Sequence, residues 1–187
     1  MNGTPEPERH TVHVGELFAY VVTLRRRLLD ALGAVSPELL QRDLGANHRS
    51  ILRTLIHIMA VQDSWLNEDI LGHPSQNVET FLQRYLGGHE SMAAARRGWE
   101  DLTRQMTDYL ASNPDLQREV QLPPSRVSVT VEQIFFHIIT EEMIHVGEIL
   151  AMTRQLGIDL PAYFLLDVME TPGRAWKRRV AEAGRGR

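Results

Sequence analysis

Four long stretches of this sequence repeat their apolar residues every three or four positions, and none of comparable length alternates with the period of two that marks a half-buried strand. That pattern predicts an all-α fold. The first stretch runs from about Val12 to Ala34, with Leu17, Val21, Leu24, Leu28 and Leu32 in register; Gly33 and the Ser36-Pro37 pair stop it. The second begins near Ser50, a good N-cap, and carries Ile51, Leu55, Ile58, Val61 and Trp65 until Gly72, His73 and Pro74. The third starts at Val78 or Gly88 and carries Met92, Ala95, Trp99, Leu102, Met106 and Leu110 to Ser112, before Asn113-Pro114. The fourth starts near Thr130, capped by Thr130 or Ser128. It continues through Ile134, Ile138, Glu141, His145, Ile149 and Met152 to about Gln155, where Gly157 breaks it.

Four helices of this length with apolar stripes predict a four-helix bundle in one domain, residues 1–170, followed by a basic tail, 171–187. The connection between the second and third helices decides the topology. A start at Gly88 leaves a linker long enough to cross the bundle and set the two helices parallel, whereas a start at Val78 favours a tight antiparallel turn. Asp115 to Ser128 reads as a long loop, with Val127, Val129 and Val131 able to form a brief extended segment. Leu160-Pro161 and the apolar Ala162 to Met169 are expected to fold back over the bundle.

The chain has no cysteine, which excludes a disulfide scaffold, a cysteine-ligated zinc site and a cysteine nucleophile of its own. Any thiol chemistry must take its thiol from outside. The net charge of −4 lacks the basic character that nucleic acid demands; the six basic residues after Gly173 read as a solvated tail. No stretch approaches a membrane span, and the first residues lack the basic and apolar regions of a signal peptide, so a cytoplasmic protein is expected.

The fourth helix carries the chemistry. At 100° per residue from Ile134, His137 falls at about 300°, Glu141 at about 340°, His145 at about 20° and Glu148 at about 320°. Ile138 and Met152 share that arc. Ionisable groups on a core-facing arc need an internal partner, such as a metal ion or a hydrogen-bond network. Glu141 and His145, four apart, can bind one cation from adjacent turns, and the best third donor is His57, set amid the apolar stripe of the second helix. His57, Glu141 and His145 form an open set for catalytic zinc, and the same set fits iron or nickel. His137 and Glu148 are outer members, more suited to orienting ligands than to binding. Glu142-Met143-Ile144-His145 has the spacing of a di-iron motif, but no second copy exists. His10, His13, His48, His73 and His89 read as surface residues, His48 least clearly because it opens the second helix, and Glu142 beside Glu141 reads as a solvated patch. The opposite side of the fourth helix carries Phe135, Phe136, Ile139, Met143, Val146 and Leu150, which favours a homodimer.

The order of elements, the stretch His48-Arg49-Ser50-Ile51-Leu52-Arg53-Thr54-Leu55-Ile56-His57-Ile58, and the late Glu141-x-x-x-His145-x-Gly147-Glu148-Ile149 resemble the DinB/YfiT-like metalloprotein superfamily from about Val12 to Leu166. The resemblance implies a long crossover between the second and third helices. It also implies a divalent metal bound by one histidine of the second helix and two residues of the fourth. In the commonest form of that family the late motif is His-x-x-x-His followed by Arg-Gly-Gln; here Glu141 and Val146-Gly147-Glu148 depart from it. The ligands are more similar to those of the mycothiol-dependent maleylpyruvate isomerase branch, whose His, Glu and His map onto His57, Glu141 and His145. That likeness implies a transferase or isomerase that uses a low-molecular-weight thiol, such as bacillithiol or mycothiol, on a small-molecule substrate, in a protein that often dimerises. Two other readings stay open: a hydrolase that activates water with Glu148 or His137 as proton acceptor, and a non-catalytic metal-binding bundle closed by a fourth ligand such as His137.

Overall fold

Helix α1 (Val14–Leu32) buries Val14, Phe18, Val21, Leu28 and Leu32 along one side, at the spacing its sequence predicts. The structure is a computed structural model and describes residues 13–73, 80, 81, 83, 84, 91–122, 127–158 and 160. The start of the third segment at Val78 or Gly88, the fold-back after Leu160 and the tail 171–187 lie outside the described residues. Ser36-Pro37 does more than stop α1. Ser36 Oγ accepts from the Leu39 amide and Pro37 opens a short helix, α2 (Pro37–Gln41), that the sequence reading missed.

Helix α3 (Ile51–Asp63) starts where Ser50 Oγ accepts the Arg53 amide at 3.3 Å. It passes without interruption into a π-helical segment, Ser64–Ile70, and the chain turns at Gly72, whose φ of 70° favours glycine. Helix α4 (Ser91–Ala111) buries Ala95, Trp99, Leu102 and Met106. The stretch after it, expected as a loop with a brief extended segment at Val127 to Val131, contains a hairpin: β2 (Val127–Thr130) bears out that segment in part and pairs antiparallel with the unexpected β1 (Glu119–Leu122), Glu119 opposite Thr130 and Leu122 opposite Val127. Helix α5 (Val131–Gln155) follows directly. Thr130 and Gln133 close a capping box at its start.

The directions of the helices follow from which residues meet. Phe18 packs on Phe135 and Arg25 binds Glu142, so α1 and α5 run parallel. Arg25 meets Thr103 and Asp30 pairs with Arg96, so α1 and α4 run antiparallel. His57 faces His145 while Trp65 faces His137, so α3 opposes α5. Helices α3 and α4 are therefore parallel, so Ile70 and Ser91 lie toward opposite ends of the bundle, as the expected crossover requires. Among the described residues no helix is long and apolar enough to cross a membrane.

Candidate metal centre

The antiparallel contact of α3 with α5 brings three predicted residues together. Glu141 and His145 stand on one face of α5, one turn apart, and His57 reaches them from α3. Glu141 Oε1 lies 3.7 Å from His57 Nε2 and 3.8 Å from His145 Nε2. The rings of His57 and His145 stand 5.0 Å apart at 79°.

A fourth residue joins them, against expectation. His48 is half-buried rather than on the open surface. Its ring stacks on His57 at 3.8 Å and 20°, and meets His145 edge-on at 5.0 Å. Nitrogens of His48, His57 and His145 lie within 4.8 Å of one another, a grouping that could hold a metal ion. The loop that presents His48 is tightly built: Asp43 pairs with Arg49, Asp43 Oδ1 accepts the Gly45 amide at 3.0 Å, and the Leu44 amide donates to Arg49 O at 2.7 Å. Arg49 itself has a φ of 70°. Helical periodicity cannot find such a residue, because His48 precedes the helix; the Asp43-x-Gly45 turn signal was the available hint.

Glu148 and His137 flank the cluster on α5. His145 Nδ1 lies 2.9 Å from the acceptor Glu148 Oε2, which orients the ring with Nε2 toward Glu141. His137 Nε2 is 3.1 Å from Glu141 Oε2, but the pair is not aligned as a hydrogen bond, and that buried oxygen has no hydrogen-bond partner. His137 is half-exposed and packs edge-on against Trp65 at 5.2 Å.

The electrostatics suit a cation. His57 beside it draws the Glu141 carboxyl below its ordinary range; burial opposes that, and the charges of His137, His57 and His145 reinforce it. At 3.7 Å the His57 contact is electrostatic rather than a hydrogen bond. Burial lowers the pKa of His48, and His57 and His145 lower it further, so its neutral form is favoured. Neutral imidazoles and an ionised carboxylate are the states that bind metal. Two donors at bonds of about 2.0–2.2 Å in tetrahedral geometry lie about 3.4 Å apart, close to the separations of Glu141 Oε1 from both imidazoles. Glu141 Oε1 and the convergent nitrogens therefore fit a divalent ion.

Glu142, by contrast, is no solvated patch. It is 2% exposed and accepts from Arg25 Nε at 2.7 Å, from Arg25 Nη2, and from Gln62 Nε2 at 2.8 Å. Arg25 also donates to Thr103 Oγ1 at 2.8 Å and lies over the Trp99 ring at 4.1 Å. The sequence contained a signal for this network: Arg25 sits four residues after Val21 and three before Leu28, on the apolar stripe itself.

The sequence profile of the DinB family matches residues 9–177, so the chain belongs to that family. No curated protein matches the sequence.

Proposed function

We propose that this DinB-family protein is a metal-dependent enzyme that activates a low-molecular-weight thiol, in a transfer to or an isomerisation of a small-molecule substrate. The observation that carries the reading is the convergence of the His57 and His145 Nε2 atoms on Glu141 Oε1, at 3.7 and 3.8 Å. These three would hold the ion; zinc suits them, and nickel or iron are the alternatives. A divalent cation in such a set lowers the pKa of a thiol or water in its open position. Glu148 orients His145 for this task, and the absence of cysteine means that the thiol comes from solution. The proposal has the protein act in the cytoplasm without nucleic acid.

Cobalt substitution tests it. Titrating bacillithiol, mycothiol or glutathione into the Co²⁺ form should produce a thiolate charge-transfer band, and His57→Ala should abolish it. No band, with turnover of an ester or amide, would favour hydrolysis; neither would favour a non-catalytic site.

The proposed homodimer now has a narrower basis. Phe135, Ile139 and Val146 are buried within the chain, which leaves Phe136 and Ile144 as the exposed large apolar residues of α5, Ile144 at 66%. A second copy would cover these two. Light scattering should give a dimer mass at micromolar concentration, reduced to that of a monomer by Ile144→Glu.

A further inference from the structure

We propose that His48 is a fourth protein donor to the ion, so that the metal sits among three imidazoles and one carboxylate. The inference rests on the reading of His57, Glu141 and His145 as ligands, and it bears on which metal the site selects.

Three observations converge. The nitrogens of His48, His57 and His145 already lie within 4.8 Å of one another, and Glu141 Oε1 is within 3.8 Å of two of those rings. A shared ion draws ligand nitrogens to about 3–3.4 Å, so a shift of about an ångström or two suffices to bring His48 in. The loop behind His48 is preorganised by the Asp43–Arg49 ion pair and by bonds from the Leu44 and Arg49 amides, the latter to Ala46 O at 2.9 Å. It also keeps Arg49 in the left-handed region, a strain that the surrounding structure must hold. Finally, the Asn47 amide lies 3.2 Å from His48 Nε2. The amide is a donor, so Nε2 accepts there; the contact holds the ring, and Nε2 would exchange it for the ion, unlike the Nδ1 of His145, which faces the acceptor Glu148.

The chemical consequence concerns coordination number. Four protein donors close a tetrahedral zinc site, leaving no place for a thiol. An ion that accepts five or six ligands, such as iron, nickel or cobalt, keeps one or two places open with all four donors bound. With His48 bound, the proposed thiol activation calls for nickel, iron or cobalt rather than four-coordinate zinc.

The test uses the full-length protein and Co²⁺ alone. Bound cobalt is followed by visible absorption and its affinity by competition with a chromophoric chelator, for wild type, His48→Gln, Asp43→Ala, His57→Ala and the distant control His73→Gln, with circular dichroism confirming the fold of each. The expected results are weak visible bands of five- or six-coordinate cobalt in wild type, and about tenfold or greater loss of affinity in His48→Gln with a shift to the stronger bands of four-coordinate cobalt. A smaller loss is expected in Asp43→Ala, which keeps the imidazole but loosens its loop, and none in His73→Gln. Unchanged affinity and spectrum in His48→Gln, with binding abolished in His57→Ala, would reduce His48 to a stacking residue and leave the three-ligand reading intact. Unchanged binding in His57→Ala as well would overturn that reading itself.

Discussion

Glu141 and Glu142 are neighbours on α5, and they meet opposite fates. Glu142 turns toward α1 and has its charge met by Arg25 and Gln62, in a cluster completed by Thr103. Glu141 turns toward α3, where it faces only histidines and keeps one buried oxygen without a hydrogen bond. One site is electrostatically finished within the chain; the other, on the reading proposed above, would be finished by a metal ion. A buried charge with complete partners serves the fold, whereas a buried charge with half-complete partners implies a ligand.

The most forceful way to test that contrast is to remove one charge at a time. Glu142→Gln strands the Arg25 guanidinium in the core and should cost about 3–5 kcal/mol in urea unfolding, while leaving metal affinity unchanged in the folded protein. Glu141→Gln should change the stability of the metal-free protein by less than about 1 kcal/mol and lower metal affinity by more than about tenfold. Equal losses of stability in the two variants would erase the distinction.

A smaller effect sharpens the open side. Glu148→Ala frees the His145 ring and should weaken metal binding by about 10–100-fold, with Glu148→Gln restoring part of it because the amide oxygen still accepts from Nδ1. Isothermal titration of the metal reads the difference; identical affinities in all three proteins would show that Glu148 positions nothing.

The smallest effect concerns the loop that carries His48. Asp43 is held below its ordinary pKa by the Gly45 amide and then by Arg49. A depressed folded pKa contributes stability above the unfolded value, lost as pH falls through the folded one. The Gly45 amide resonance should therefore stay put from pH 7 down to the usual aspartate range and move only below it. Movement at higher pH would mean that the carboxylate does not hold the loop.

Much of this was legible in the sequence. The apolar stripes located all four long helices, Ser50 and Thr130 marked two starts, and a histidine in an apolar run disclosed His57. What escaped was what periodicity does not encode. His48 lies outside any helix, and its position depends on a loop closed by Asp43 and Arg49. The π-helical segment from Ser64 to Ile70 has no local residue signature, and Glu142 could be told from Glu141 only by knowing which helix lay opposite each.

The parallel pairing of the first helix with the last has a consequence for how the protein is made. Gln62 and Glu142 are 80 residues apart and Arg25 and Glu142 are 117 apart, so neither the polar core nor the histidine cluster can assemble before α5 has emerged from the ribosome. Until α5 is released, α1, α3 and α4 expose the stripes that it will cover. Contacts this distant slow folding, and they make the final helix the piece that closes the bundle. A chain truncated before Val131 holds His48 and His57 but lacks Glu141 and His145, so the proposed metal site would form only after α5 has been made.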